Sequence, residues 1–576
     1  MNKHTWTAMA VGATCAMLVA GCRDSRAGSR NDTRDTQGAK QGDDKTLSLV
    51  IAYGSEKKTW LEDETARFAA THPKTASGRA IVVDARAMGS GQAATEIASG
   101  RLRAAVFAPA SSLYVAELDR QLAGGATGGA LAGNAKRESA ALSSEPLAIS
   151  PVIVAMWRPM AEALGWPEKR IGWADLMRVA TEPEGWGRYG HPDWGPFKLG
   201  HTSPELSSSG LCAVLAEAYA GAGKTRGLEV ADLDAPATRS FVRAVEGTVV
   251  HYGKSTGFFV DKMLSRGPGS LSALVAYENL VIESYAKRPA VPLVAVYPKE
   301  GTFWADHPFA VMKTASPDER DAAAQLLAHL KSRAAQERAL ANGFRPADPK
   351  IAIGAPVDSA HGADPKQPET LLPIPAADVT ARLVPLWRAT KRGADVALVF
   401  DKSGSMRGAP LTQAQAGARA FVRALAEEDS VSYVPFDETV HPAGGPWRVG
   451  TDRAAIDGRI AMTSAFGGTA LYDAIARSWD EAGTRARQSP ATIHAVVVMT
   501  DGRDESSTMT LSALRAKLAA ARSGDGEVPV RVFTIAYGDG ADERVLGEIA
   551  ESARGWSGRG TPENIQQVYA DVAAFF

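Results

Sequence analysis

The sequence predicts an α/β protein in two parts, because apolar strands, helices and glycine-containing turns alternate in both halves of its 576 residues. In the first half, strands predicted over 47–53 and 81–87 are each followed by a turn and a helix, the βαβα order of a parallel sheet. In the second half, the predicted strand over 396–400 is apolar throughout, as expected at the centre of such a sheet.

The amino terminus has the features of an exported chain. Lys3 precedes an apolar stretch over 8–20 that is too short to span a bilayer. The stretch ends in Leu-Val-Ala-Gly-Cys, which resembles the lipobox of bacterial lipoproteins; a plain signal peptide with a chance cysteine is the alternative. The resemblance implies a lipoprotein signal peptide over 1–21 and lipid attachment at Cys22, on the periplasmic face or at the outer membrane. Residues 22–45 contain almost no apolar side chains, so we expect a flexible tether there.

Composition narrows the range of partners. The net charge is −1, and no basic tract with interleaved aromatic residues is present, so we expect no nucleic-acid binding. None of the ten histidines has the spacing of a zinc-enzyme motif.

Hydroxyl groups stand at the starts of the first two predicted helices. Ser55 follows the strand over 47–53, and Ser90 follows the strand over 81–87. A helix start attracts anions through its unpaired amides, although N-capping alone also explains a serine there.

With several later loops, these features resemble the type II periplasmic solute-binding proteins over residues 46–350. The loops are Gly89-Ser90-Gly91, Gly200-His201-Thr202-Ser203-Pro204 and Gly343-Phe344-Arg345-Pro346. The resemblance implies two lobes that close on an oxyanion or a small metabolite. The side chains it places in the cleft are Ser55, Ser90, Thr202, Ser203, Tyr277 and Glu278. An ionised Glu278 would oppose an anionic ligand.

One pattern in this half indicates an enzyme instead. Residues 253–257 read Gly-Lys-Ser-Thr-Gly, which fits the G-x-S-x-G motif of serine hydrolases, with a strand predicted before it. The less favoured alternative is therefore a hydrolase that uses Ser255.

The second half begins after a linker and a lead-in helix, predicted over 351–391. Asp401, Ser403 and Ser405 follow the strand over 396–400 directly, and Thr469 stands at a later helix start, where N-capping is the simpler explanation. Asp501 follows another buried strand. Ligands gather at the carboxyl ends of parallel strands, and such oxygen donors suit magnesium or calcium better than zinc.

Together, D-x-S-x-S at 401–405, Thr469 and Asp501 resemble the metal-ion-dependent adhesion site (MIDAS) of the von Willebrand factor type A (VWA) domain, over 392–576. The resemblance implies a doubly wound, Rossmann-like sheet and a bound Mg²⁺, Ca²⁺ or Mn²⁺. It also implies a protein partner whose Asp or Glu completes the coordination. We expect Lys402, inside this motif, to be solvated.

The sequence therefore predicts a lipid-anchored binding protein of the cell envelope, without enzymatic activity. Its VWA domain would bind a partner protein through the metal. The alternative is the solute-binding component of a transport system, with the VWA domain as an accessory.

Overall fold

The computed structural model describes residues 45–124, 139–520, 530–573 and 575–576. The predicted signal peptide, Cys22 and nearly all of the predicted tether lie outside these residues. The strands form three sheets. They are β1 Thr46–Gly54, β2 Ala80–Met88, β3 Val106–Ala108, β4 Ala141–Pro146, β5 Ala148–Trp157, β6 Leu199–Thr202, β7 Val249–Gly253, β8 Ala273–Tyr277, β9 Leu293–Val296, β10 Trp304–Ala305, β11 Pro308–Met312, β12 Arg345–Pro346, β13 Ala394–Asp401, β14 Ser430–Phe436, β15 Gly444–Arg448, β16 Ile493–Thr500, β17 Val530–Tyr537 and β18 Ser557–Gly560.

Helices surround these sheets. They are α1 Lys58–Ala70, α2 Ser90–Ala98, α3 Leu113–Gly124, α4 Arg158–Ala163, α5 Trp173–Thr181, α6 Ser208–Ala222, α7 Val230–Asp234, α8 Pro236–Glu246, α9 Thr256–Arg266, α10 Glu278–Ser284, α11 Pro317–Leu330, α12 Arg333–Ala341, α13 Ala377–Thr390, α14 Ala409–Ala424, α15 Val449–Ala461, α16 Leu471–Gln488, α17 Leu511–Ala520, α18 Glu543–Ser552 and α19 Ile565–Ala573. Among the described helices, none is both long and apolar enough to cross a bilayer.

Two sheets build the first half, and we call the units around them the first and second lobes. The first-lobe sheet has the order β2-β1-β3-β11-β4, with β1 parallel to β2 and β3. The second-lobe sheet has the order β10-β5-β8-β6-β7, and β9 and β12 also pair with β5. The chain crosses between the lobes from β4 to β5 and again from β10 to β11. The parallel pairing of β1 with β2 confirms the βαβα start that the sequence predicted.

The third sheet lies in the second half and has the order β15-β14-β13-β16-β17-β18. All of its described pairings are parallel except that of β15 with β14. Strand β13 is central, and all eight of its residues are buried, because helices cover both faces of the sheet. The central buried strand predicted from 396–400 is confirmed, and it extends over 394–401.

The predicted linker and lead-in helix, 351–391, lie against the second lobe. Val357, Ala363 and Leu372 are buried. The hydroxyl of Tyr219 in α6 donates to the Pro373 carbonyl at 2.9 Å, and α13 packs against α6 and α8. Although the segment was predicted as a linker, these apolar side chains hold it on the lobe surface.

The second lobe also contacts the third sheet directly. Lys254 Nζ lies 2.6 Å from Asp571 Oδ2 in α19, and the Lys254 ammonium stands 4.9 Å from the ring centre of Trp556. The Arg266 guanidinium donates to the carbonyls of Arg554 and Gly555 at 3.1 and 3.2 Å. The two halves thus share a polar contact built around α9.

Candidate functional site

Three loops at one edge of the third sheet bring the predicted metal donors together. Asp401 is the last residue of β13, and Asp501 directly follows β16. These strands are parallel neighbours, with Phe400 paired to Met499, so their carboxyl ends lie side by side. Ser403 and Ser405 lie in the turn that follows β13, where a short 3₁₀ segment begins at Gly404.

A chain of hydrogen bonds joins four of the five donors. The Ser403 amide donates to Asp401 Oδ1 at 2.8 Å, and the hydroxyls of Ser403 and Ser405 lie 3.0 Å apart. The Ser405 hydroxyl donates to Asp501 Oδ1 at 2.7 Å. The other oxygen of Asp401 accepts from the Thr500 hydroxyl at 2.5 Å. In the sequence, only the position of Thr500 at the end of a strand could have indicated this contact.

Thr469 enters from a third loop. The N-cap of α16 is Ala470, so Thr469 lies outside the helix and is not the N-cap that its position indicated. Its carbonyl accepts from the Glu505 amide at 2.9 Å, which fixes the loop next to the segment after β16. Its hydroxyl is close enough to Gly502 that a methyl group added there would lie 3.4 Å from Thr469 Oγ1. All five predicted donors therefore meet at this edge.

The electrostatics of the cluster favour a cation. Asp401 is fully buried, and burial raises the pKa of its carboxyl to about 6, to which the Asp501 carboxylate contributes. Burial also raises the pKa of Asp501. A divalent ion between the two carboxylates would offset both effects, and every donor is an oxygen atom. The residues present therefore fit Mg²⁺, Ca²⁺ or Mn²⁺.

The environment of Lys402 differs from the solvated one that we expected. Its side chain is mostly buried and forms an ion pair with Asp437, which also lies 2.8 Å from His441 Nε2. We expected a solvated lysine because its position in the motif is variable. The Asp437 carboxylate, which follows the neighbouring strand β14, is instead its partner.

In the first half, the two helix-start serines make contacts of different kinds. Ser55 Oγ lies 2.6 Å from Ser255 Oγ and accepts from the Gly257 amide at 3.1 Å, so it joins the first lobe to the second. Ser90 Oγ accepts from the Ala110 amide at 3.1 Å within the first lobe. The N-caps beside them are Gly54 and Gly89, so neither serine is itself the N-cap.

The start of α2 is occupied by the opposite lobe. The amides of Gly91 and Gln92 donate to the Leu206 carbonyl at 2.9 and 3.2 Å. The approach is close because residues 89 and 91 lack side chains: a methyl group added at Gly91 would lie 2.1 Å from the Glu205 carbonyl oxygen. A backbone oxygen therefore takes the place where an anion was predicted.

Thr202 and Ser203 are buried in the second lobe. Thr202 Oγ1 lies 2.8 Å from Ser209 Oγ, which is in turn 2.7 Å from Thr256 Oγ1. The Ser203 amide donates to the Gly253 carbonyl at 2.8 Å. These residues hold the loop between β6 and α6, which carries Leu206 to the first lobe.

Tyr277 and Glu278 are also buried, and Glu278 differs from expectation. Arg345 binds both oxygens of Glu278, at 2.7 and 2.8 Å, and Tyr297 donates to it at 2.5 Å. Arg345 therefore neutralises the negative charge of Glu278 that we expected to oppose an anionic ligand. The two residues are 67 positions apart, so the sequence contained no sign of the pair. The Tyr277 hydroxyl is buried beside the hydroxyl of Ser208.

Sequence reasoning missed a buried ionic group next to Ser55. Lys57 Nζ lies 2.5 Å from Glu56 Oε1 and 3.4 Å from His307 Nδ1, and all three side chains are buried. Burial alone would raise the pKa of Glu56, but Lys57 and His307 lower it to about 2. Adjacent charges at a helix start indicate a solvated face, so the sequence carried no signal for this group.

Comparisons with known proteins match the two halves of the chain separately. A family model described as bacterial extracellular solute-binding protein matches residues 49–345, more than half of the chain. The chain belongs to this family. A model of the von Willebrand factor type A domain matches residues 394–558. Both predicted resemblances are confirmed, and the solute-binding family implies an envelope or periplasmic location.

Individual relatives cover parts of the chain. An uncharacterized protein of Synechocystis, sll0103, is 30% identical over 161 residues, which are 28% of this chain and 36% of that protein's length. The von Willebrand factor type A protein from Catenulispora acidiphila is 22% identical, with a TM-score of 0.28, over 32% of this chain and 43% of its own. The periplasmic binding protein AfuA from Actinobacillus pleuropneumoniae, solved with fructose-6-phosphate, is 16% identical, with a TM-score of 0.41, over 60% of this chain and 98% of its own.

Ser255 lies at the strand-to-helix turn of the solute-binding domain that the hydrolase motif predicts. Its backbone is extended, with φ −156° and ψ 145°, whereas a nucleophile elbow needs a strained turn. Its hydroxyl contacts Ser55, and the residue lines an apolar cavity of about 570 Å³ together with Phe258 and Trp556. The contact with Ser55 gives Ser255 a role in joining the lobes.

Proposed function

We propose that this chain is a cell-envelope binding protein whose VWA domain holds a protein partner through a divalent cation. The observation that carries the proposal is the meeting of Asp401, Ser403, Ser405, Thr469 and Asp501 at one sheet edge. Three separate loops supply these oxygens, and hydrogen bonds already hold four of them in place. Such preorganisation lowers the entropic cost of binding an ion.

Each residue has a defined task in this proposal. The Asp401 carboxylate is fixed by the Ser403 amide and the Thr500 hydroxyl, so it orients the loop that presents the serine hydroxyls. Asp501 holds Ser405 from the neighbouring strand. A bound cation would supply an electron-poor centre that attracts a carboxylate of the partner.

The surface beside the cluster suits a protein partner. Phe466 is 64% exposed and Met462 is 80% exposed. The Phe466 amide donates to the Lys402 carbonyl at 2.8 Å, which holds this aromatic ring in the loop next to the donors. Exposed apolar side chains beside a polar site are typical of interaction surfaces. We propose that the partner places an Asp or Glu on the cation and an apolar side chain against Phe466.

Capture from an envelope extract tests this proposal. The immobilised chain is incubated with extract in Mg²⁺ and in EDTA, and the same is done with Asp401→Ala. We expect a protein that the native chain retains in Mg²⁺. The native chain in EDTA and the Asp401→Ala variant should not retain it. Asp539→Ala is the matched control, because Asp539 follows the neighbouring strand β17 but is 95% exposed and pairs with Arg559. Equal capture by the native chain in Mg²⁺ and EDTA would overturn the proposal.

A second candidate function is the binding of a small polar solute between the lobes, as the family implies. Nε2 of His307, which is buried near the lobe contact, has no hydrogen-bond partner among the described residues, and the centre of the Tyr277 ring lies 5.7 Å from that of the His307 ring. Buried polar atoms without partners are costly, and a ligand would satisfy them. Calorimetry of the full chain against oxyanions and small metabolites tests this candidate; no heat from any of them would count against it.

We also propose that the chain is lipid-anchored through Cys22, whose sequence context carries this proposal. Several acyl chains on one residue would hold it firmly at a membrane. Labelling cells with a radioactive fatty acid tests the anchor. Label in the native chain that is absent from Cys22→Ser is the expected result, and an unlabelled native chain would contradict it.

A further inference from the structure

The second lobe contains a buried cluster of three metal-ligating side chains, far in sequence from the MIDAS residues. His201 lies in β6, Glu217 in α6, and Glu246 at the end of α8. All three are fully buried, and one ligand atom from each lies within 4.8 Å of the others. Two buried carboxylates at this separation repel each other unless a cation or a shared proton lies between them.

The orientation of His201 points its second nitrogen at the carboxylates. Nδ1 lies 2.8 Å from the Thr202 carbonyl oxygen, which can only accept, so Nδ1 carries a proton. Nε2 lies 3.1 and 3.3 Å from the two oxygens of Glu246. A histidine that donates one N–H to a backbone carbonyl and offers the other nitrogen to an ion is the usual arrangement of a metal-ligating histidine.

Glu217 supplies the independent observation. The side chain is fully buried, and neither of its carboxylate oxygens accepts from a donor among the described residues; the group within hydrogen-bond reach is the Glu246 carboxyl, which when ionised is also an acceptor. Burial raises the pKa of Glu217 well above its ordinary value, and Glu246 adds to the rise. Two buried carboxyl groups that face each other beside a histidine, with no donor on Glu217, are the arrangement that a cation between them would satisfy.

We propose that His201, Glu217 and Glu246 hold one divalent transition-metal ion, for which Zn²⁺ is the best match. One neutral imidazole and two carboxylates give a net charge of −2, which a divalent ion cancels. Imidazole nitrogen with carboxylate oxygen is a donor set that zinc accepts. Two donors about 2.1 Å from one tetrahedral ion lie roughly 3.4 Å apart, close to the 3.1 Å between Nε2 and Glu246 Oε1.

The surroundings of the cluster support a structural ion. The Tyr252 hydroxyl in β7 donates to Glu246 Oε2 at 2.6 Å and orients this carboxylate from outside the donor set. The Tyr252 ring meets Trp387 of α13 edge to face, 5.2 Å between ring centres. The ion would therefore fasten β6, α6 and α8 together beneath the helix that leads into the VWA domain. This site does not depend on the function proposed for the MIDAS.

Metal content of the purified full chain tests the site. Asp401→Ala is used as the background, so that the MIDAS contributes no ion, and the protein is expressed with added Zn²⁺ and purified without chelator. We expect about one zinc per chain, and less than about a tenth of that in Glu217→Gln. X-ray absorption of the zinc-loaded protein should show nitrogen and oxygen neighbours at about 2.0–2.2 Å, including one imidazole.

Two controls keep the result interpretable. Tyr252→Phe retains all three ligands, so it should still bind zinc, but with about 10- to 100-fold lower affinity. Thermal unfolding of Glu217→Gln shows whether the variant folds, and its midpoint should no longer respond to chelator, unlike that of the background protein.

The competing explanation is a proton shared between the two carboxylates. In that case the background protein would contain no metal, and chelator would not change its unfolding midpoint. Either that outcome, or equal zinc content in the background protein and Glu217→Gln, would overturn the proposal.

Discussion

The predicted MIDAS and the interlobe cleft contain the same kinds of residue, but these residues form hydrogen bonds with different kinds of partner. At the edge of the third sheet, hydroxyls bond to one another and to the carboxylates of Asp401 and Asp501, and Ser405 is exposed. In the cleft, Ser55 is 5% exposed and bonds to Ser255 of the opposite lobe. A serine at a helix start therefore indicates a polar contact but not its partner.

The difference comes from what lies opposite each group of donors. The oxygens of the predicted MIDAS lie at the carboxyl end of a sheet, and the Glu505 amide fixes the loop that carries Thr469. The start of α2 faces another lobe, and the Leu206 carbonyl already accepts from its amides. The predicted metal site keeps an exposed residue in Ser405, whereas the start of α2 is held against the opposite lobe.

Removing a carboxylate from the MIDAS should have the largest effect. We expect Asp501→Ala to raise the dissociation constant for Mg²⁺ about 100-fold, or ~3 kcal/mol, because the ion loses a charged donor and Ser405 loses its acceptor. Isothermal titration calorimetry with the full chain measures it. Asp539→Ala, at the end of the next strand, should leave the constant within about twofold. A similar loss in both variants would show that overall charge, rather than the donor cluster, attracts the ion.

The strands of the sheets could be predicted from the sequence because each one is marked by neighbouring residues, an apolar stretch next to a turn. Strands β1 and β2 contain the predicted 47–53 and 81–87 and extend one residue further at each end, since each is a mostly apolar stretch that ends at a turn. The MIDAS donors could be assembled for the same reason, because parallel strands end at one edge. Their coordination of a metal stays a prediction.

Pairings between distant side chains could not be predicted in this way. Arg345 neutralises Glu278 from 67 residues away, and His201 meets Glu246 from 45 residues away. No local pattern links such residues, because each lies on a different element and its burial depends on the whole fold. The closure of the cleft escaped prediction for the same reason, since Ser55 and Ser255 are 200 residues apart.

Wedging the lobes apart should have an intermediate effect. In Gly91→Ala the new methyl group would lie 2.1 Å from the Glu205 carbonyl oxygen, so the lobes must separate. We expect a loss of about 1–3 kcal/mol in the free energy of unfolding, as for other overpacked contacts. Small-angle X-ray scattering should show a larger radius of gyration.

The matched control is Gly547→Ala, in the interior of α18, where an added methyl group meets nothing within 4 Å. Alanine there should stabilise the chain by up to about 1 kcal/mol, because it favours the helix. If Gly91→Ala behaved like Gly547→Ala, the lobes would not be in contact at α2 in solution.

Replacing either of the two helix-start serines should have the smallest effect on stability, and the two replacements should differ in where they act. Ser55→Ala removes hydrogen bonds to Ser255 and to the Gly257 amide across the lobes, whereas Ser90→Ala removes one from Ala110 within the first lobe. Each change should cost about 1 kcal/mol of unfolding free energy, because a buried partner loses its bond. Denaturant unfolding measures this cost but does not separate the two serines.

Amide hydrogen exchange does separate them. In Ser55→Ala, exchange should quicken at Gly257 and at Gly91, since the amides of both residues bond across the lobe contact. In Ser90→Ala, it should quicken at Ala110 and leave Gly257 unchanged. Faster exchange at Gly257 in both variants would mean that the cleft opens whenever the first lobe is weakened. Ser55 would then have no special part in closing it, and the contrast between the cleft and the MIDAS would rest on the backbone contact at Leu206 alone.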